Sequence, residues 1–320
     1  MPLKHPVGLS CHFTFVAGQA RGFADAKLVL TAESMEIQMP RISSKASTPG
    51  PPAKKVVRVR PQPSDQAQQL MQRLVVRSQR SSGVPFAESF IRRADADDPA
   101  PPLTRLIRGG QGGEVRLKLY LTMSLLAVRA PYDIPAAPAR SWAQALDLDD
   151  PDHNGARRVS DAIDWLAENK FLIAERRQGT PGPVRLLSQD GLGNPYTRPT
   201  PAGRYVRLGL GLWHDGWIDR LSGTALALLI VLLDLQGGRA QPQWISPDPA
   251  RRRYDLSPDT WTKGLKELKE LELVTVTRRM QGDFFDQRRM RNAYWVEEHK
   301  LRGPEVTPGR RPRRRRASTR

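Results

Sequence analysis

The stretch Tyr254-Asp255-Leu256-Ser257-Pro258-Asp259-Thr260-Trp261-Thr262-Lys263-Gly264-Leu265-Lys266-Glu267-Leu268 decides how this chain is read. Ser257 is placed to cap a helix, because its hydroxyl accepts from an orphan amide of the first turn. Pro258 suits the first helical position, where no amide hydrogen is needed, and Asp259 complements the positive helix end. Trp261, Leu265 and Leu268 recur at i, i+4 and i+7 and give one apolar stripe. Thr262, Lys263 and Lys266 fall on the opposite face.

Beyond this helix, 273–279 alternates as a strand, 280–287 holds a turn and 288–296 returns as a second strand. A short helix over 247–254, a tight turn, a capped helix and a basic hairpin are the parts of a winged helix-turn-helix. In that fold the capped helix enters the major groove and the hairpin lies along the backbone. The same pattern occurs upstream: 162–177 aligns without a gap on 264–279, at an offset of 102 residues that also carries Trp142 onto Trp244. Val159, Ile163 and Leu166 then fall on Trp261, Leu265 and Leu268. Identities are few, so the repeat is one of pattern. The expected fold class is α+β, mainly helical, with two tandem winged helix-turn-helix domains and disordered basic termini.

The chain has 320 residues and a net charge of +18, which points to an anionic partner, nucleic acid first. Residues 1–102, expected to be mostly disordered, carry 14 basic and 8 acidic groups, and the arginine-rich tail 301–320 carries 8 and 1. The two expected domains, 103–187 and 221–300, each carry only about +2, joined by a Gly/Pro/Asn-rich connector over 188–220. Charge therefore does not single out the folded parts as DNA binders; the motif does. A short helix is expected over 66–80, and Met35 and Met39 offer alternative starts. The apolar run 225–233 is too short to span a bilayer and reads as a buried core helix. With Cys11 as the single cysteine and scattered histidines, neither disulfides nor a metal site is expected, and a reducing cytoplasm, beside the nucleoid, is the default location.

Candidate contact residues come from three segments. Arg251, Arg252 and Arg253 sit where the first helix of the motif crosses phosphates. Thr260, Thr262, Lys263 and Lys266 are placed to face base edges, and the two lysines reach guanine acceptors. Arg278, Arg279, Arg288, Arg289 and Arg291 load both arms of the wing. In the first domain, Asp161 and Asp164 lie in the equivalent helix face, which is less suited to DNA. Trp165 falls beside the apolar stripe, to cover another domain or a second subunit, or to widen the core face. The glycine-rich run 109–113 lacks a following Gly-Lys-Ser/Thr and reads as a flexible turn rather than a nucleotide loop.

With Trp244, the 254–261 turn and the return strand Arg289-Met290-Arg291-Asn292-Ala293-Tyr294-Trp295 in view, the chain resembles tandem winged-helix proteins of actinobacteria. Its layout is similar to that of plasmid replication initiators built from two winged helices. That resemblance implies a dimerising first domain and a second domain on repeated origin DNA. Asp255 departs from the pattern, since such turns often carry Gly there. The expected function is sequence-specific double-stranded DNA binding as a transcriptional regulator or replication initiator. The other reading is a winged-helix protein-interaction module whose basic tails touch nucleic acid non-specifically. No catalytic set stands at usable spacing, so no enzyme, cofactor or membrane partner is expected.

Overall fold

The computed structural model describes residues 60–109, 112–175, 182–200, 203–281 and 289–304. The chain begins with α1 (Asp65–Ser78), β1 (Val84–Ala87), α2 (Glu88–Ile91) and α3 (Pro102–Ile107). A first unit follows: α4 (Gly112–Leu126), β2 (Asp133–Ile134), α5 (Ala139–Ala145), α6 (Asn154–Glu168), β3 (Leu172–Ala174) and β4 (Val184–Leu186). Then come β5 (Tyr205–Leu208), α7 (Gly211–His214) and α8 (Trp217–Arg220). The second unit is α9 (Gly223–Gln236), β6 (Gln243–Trp244), α10 (Pro247–Tyr254), α11 (Pro258–Glu270), β7 (Val274–Gln281) and β8 (Arg289–Val296), closed by a 3₁₀ turn at Glu298–Leu301.

Both units run helix, strand, helix, helix, strand, strand, and both sheets place the last strand between the other two: β2-β4-β3 and β6-β8-β7, all antiparallel. This is an α+β chain in which helix predominates. The 102-residue offset holds at the turn from the third helix of each unit into its strand. Lys170 and Glu272 both adopt positive φ, 63° and 53°. The amides of Phe171 and Leu273 donate to the carbonyls of Leu166 and Leu268, each at 2.9 Å. All four of these apolar side chains are fully buried.

The offset fails upstream of that turn. Trp142 lies in helix α5 and Trp244 in strand β6, so the two tryptophans are not equivalent. By sheet register, β2 corresponds to β6, and the polar turn between α5 and α6 makes the first unit longer.

Helices α4 and α9 form the centre. Nearly every residue of each is buried, from Val115 to Leu125 and from Ala225 to Leu233, and the two helices touch. Helix α9 is apolar on all sides and has no face to offer water, whereas α4 is buried all round with Arg116 and Lys118 enclosed. Ser222 starts α9, its Oγ accepting from the Ala225 amide at 3.1 Å, and Gly237 ends it in the left-handed conformation that glycine adopts without strain. The last carbonyls of α4 are satisfied by Arg80, which is buried and donates to Ser124, Leu125 and Ala127 at 2.8–2.9 Å. No helix among the described residues is long and apolar enough to cross a membrane.

The folded part begins well before Leu103, where the first domain was expected to start. Helix α1 fills the 66–80 expectation, and Met71, Val75, Phe86, Phe90 and Ile91 all enter the core. Strand β1 pairs with β5, from Val84 opposite Leu208 to Ala87 opposite Tyr205. The second half of the 188–220 connector is thus structural: Leu208, Leu212, Trp213 and Ile218 are buried, and the Trp213 indole donates to Thr122 Oγ1 at 3.2 Å. Prolines and polar spacers hide these segments, because their apolar partners lie far away in sequence.

The core also holds charge. Lys118 is 1% exposed and pairs with Glu114 at 2.9 Å, and Glu114 also receives Arg60. The Lys118 ammonium donates to the Asp219 backbone carbonyl at 3.0 Å, whereas both Asp219 carboxylate oxygens are buried without a hydrogen-bond partner. Burial pushes the Asp219 carboxyl up to about 7 despite the nearby Lys118. A carboxyl raised in the folded state holds its proton between about pH 4 and 7 while the unfolded one has lost it, so stability falls as pH rises through that window. We expect Asp219→Asn to raise Tm by several degrees at pH 8, an advantage that shrinks steadily toward pH 5; scanning calorimetry showing a pH-independent difference would mean the carboxylate carries no such penalty.

Candidate nucleic-acid interface

In the second unit, α10 ends at a turn in which Asp255 takes the left-handed conformation, φ 55°. Asp tolerates this region better than most residues, and here it is also held: Arg108 at 2.7 Å and Arg93 at 3.1 Å both pair with its carboxylate. The turn's next constraint is Ser257, whose Oγ accepts from the Thr260 amide at 3.1 Å and starts α11. Leu268 is buried, and Trp261 and Leu265 pack against the core, as the apolar stripe requires. Gly264 allows a close seat on α9: a Cβ there would stand 3.0 Å from the Thr224 carbonyl and 3.2 Å from Leu228.

The opposite face of α11 is open. Thr262, Lys263 and Lys266 are exposed and Thr260 is half-buried. The two threonines are already engaged locally, Thr260 with Ser257 Oγ and Thr262 with the Pro258 carbonyl at 2.8 Å. Lys263 pairs with Asp259 at 2.7 Å, but both side chains are 70% exposed, so the pair is weak and readily exchanged for another acceptor.

Arg251, Arg252 and Arg253 are all exposed on α10 but do not act as one patch. Arg251 lines a cleft of about 250 Å³ with Trp261 and Thr262, beside the start of α11. The carbonyls of Arg252 and Arg253 instead receive hydrogen bonds from Arg93, so that side abuts the segment before α3.

On the hairpin, Arg278 and Arg279 are adjacent in one strand and therefore point to opposite faces. Arg279 stands directly opposite Arg291 across the sheet, a like-charge pairing that strands ordinarily avoid. Arg291 is drawn inward: its guanidinium lies 4.4 Å over the Trp244 ring and donates to Ser246 Oγ. This occupies Ser246, the residue before α10, which makes no side-chain cap bond. Arg289 is exposed; Arg288 and the turn at 282–288 lie outside the described residues, as do Cys11, Arg176, Arg177 and the 310–316 arginines.

Trp165 takes the core-widening role. Its ring stacks on Phe171 at 6.1 Å and is covered by the Arg116 guanidinium at 4.3 Å. Sequence reasoning missed Arg93 and Arg108 at the turn and Arg291 as an anchor, since nothing in spacing separates an arginine held by a distant partner from a solvated one. Among the described residues, no group of three or more His, Cys, Asp or Glu side chains is placed to hold a metal ion. No family model, no curated protein and no solved structure matches the chain, so function is argued from its own geometry.

The contrast between the paired arginines is testable by thermal denaturation. Arg291→Met removes the contact over Trp244 and the Ser246 bond and is expected to cost about 1–2 kcal/mol, a fall in Tm of several degrees. Arg279→Met, which relieves the like-charge pair, is expected to stay within about 0.5 kcal/mol of the parent. Equal losses in the two variants would contradict the anchoring role of Arg291.

Proposed function

We propose that the two units are winged helix-turn-helix domains in tandem, and that the chain is a non-enzymatic, sequence-specific double-stranded DNA-binding protein. The observation that carries this is the second unit's arrangement. A capped helix lies with its apolar stripe on α9 and an open face of Thr262, Lys263 and Lys266, flanked by Arg251 and by a basic two-stranded hairpin. In such an arrangement α11 enters the major groove, its lysines meet guanine acceptors, and Arg279 and Arg289, which share one face of the hairpin, follow phosphates. Arg291 belongs to the scaffold of the wing instead. Transcriptional regulation and replication initiation both use a reader of this kind, and the resemblance to two-winged-helix initiators favours neither by chemistry.

A second reading has one observation behind it. Met280 and Met290 face each other across β7 and β8 and are 59% and 57% exposed. An exposed pair of flexible, polarizable side chains on a hairpin suits contact with protein as well as with DNA.

Selection of bound duplexes from a random library, using the full chain at moderate salt with unspecific competitor, separates the readings. A DNA reader yields a motif; Lys263→Ala/Lys266→Ala abolishes the preference. Arg278→Ala/Arg279→Ala weakens all sequences alike and, because only one of these two alternating side chains can face the backbone, reduces the salt slope by about 1. If no motif is enriched, or if preference survives all four substitutions, the DNA-reading role of α11 is wrong and the methionine-bearing hairpin becomes the surface to test.

A further inference from the structure

The first unit carries a cleft that the DNA-reading face does not use. It measures about 690 Å³ and lies between the end of α3, the start of α4 and the side of α6 from Arg157 to Asn169. Arg105, Arg108, Arg116, Arg157 and Arg158 line it, against a single acidic side chain, Asp161. Of these cations only Arg108 has a carboxylate partner among the described residues, Asp255 at the neighbouring helix turn.

Arg116 is the unusual member. It is 6% exposed, its Nε has no hydrogen-bond acceptor, and its Nη2 reaches only the Arg108 carbonyl, at 2.6 Å. A buried cation without a counter-ion is costly, and desolvation accordingly lowers the Arg116 pKa. The glycines on either side leave its guanidinium approachable: a Cβ at Gly109 or Gly112 would begin 3.7–3.9 Å from its nitrogens. What the site lacks is an anion with several oxygens.

The aromatic ring in the cleft narrows the class of ligand. Trp165 already stacks on Phe171 and carries the Arg116 guanidinium over its ring, so a base would compete with that cation for the ring face. We infer that this cleft binds a phosphoryl group, Arg116 donating from within and Arg157 and Arg158 closing from the rim. Guanidinium forks match phosphate oxygens in two-point contacts. The group belongs either to a free polyphosphate or to the phosphodiester backbone of nucleic acid. Only in the second case does the inference rest on the proposed DNA binding.

The experiment uses the full chain and the rim variant Arg157→Ala/Arg158→Ala, which leaves the buried residues intact. Titration calorimetry and thermal shift with inorganic pyrophosphate and tripolyphosphate, against chloride at equal ionic strength, test the free ligand. Binding to duplex DNA of scrambled sequence across a salt series tests the backbone. A polyphosphate affinity that falls about tenfold or more in the rim variant supports a free phosphorylated ligand. An unchanged polyphosphate response, with weaker DNA binding and a salt slope reduced by about 2 in the rim variant, supports the backbone. The Lys263→Ala/Lys266→Ala protein is run in parallel; it loses site preference if α11 reads DNA and keeps the rim effect, so the two readings fail separately. If the rim variant matches the parent in both arms, the cleft is not a phosphoryl site.

Discussion

The contact between α4 and α9 is the constraint on which the rest depends. Each is the first helix of its unit, and each is buried along nearly its whole length, α4 with Arg116 and Lys118 enclosed as well, so the two units share one core. Burial of such a helix pair outweighs the cost of ordering the chain around it, because the alternative leaves leucines of both helices in water. The remaining elements are arranged over this pair. Helix α11 lies on α9 through Gly264 and Leu268, and α6 lies on α4. The two third helices are therefore fixed by a single core rather than carried on separate beads.

Arginine in this chain does several jobs that composition merges into one charge. Arg80 closes the end of α4, Arg93 and Arg108 hold the turn before α11, and Arg291 ties the hairpin to β6. Arg251 and Arg279 remain in solvent, and Arg116 is buried without an anion. Counting charge per domain accordingly says little about where an anion would bind. The informative quantity is which guanidinium groups have lost water without gaining a carboxylate.

Local signals in the sequence were legible. Ser257 and Pro258 start a helix, the run at 225–233 is a core helix, and the repeat at offset 102 is real from the third helix into its strand, because both copies close that turn with the same left-handed residue and the same bond. Trp142 and Trp244 show the limit: the offset aligned them, yet the units differ in length before the third helix. Phe86 and Phe90 sit in a stretch that reads as polar and proline-rich until β5 is known. In the candidate site, the open face of α11 was readable from periodicity. The divergence of Arg278 from Arg279, the anchoring of Arg291 and the cleft around Arg116 were not, because each depends on a partner distant in sequence.

The pairing of β1 with β5 has a consequence for biosynthesis. Val84 finds its partner at Leu208, with the whole first unit between them. As the chain leaves the ribosome, β1 and the phenylalanines beside it emerge about 120 residues ahead of the strand that covers their edge. The amino-terminal layer thus waits for the carboxy-terminal half, and the nascent chain carries an exposed, adhesive edge through more than a third of its synthesis. Pro85 within β1 and prolines on both sides of this layer, at Pro61, Pro63, Pro99, Pro101 and Pro102, keep that edge short and interrupt any extended strand around it.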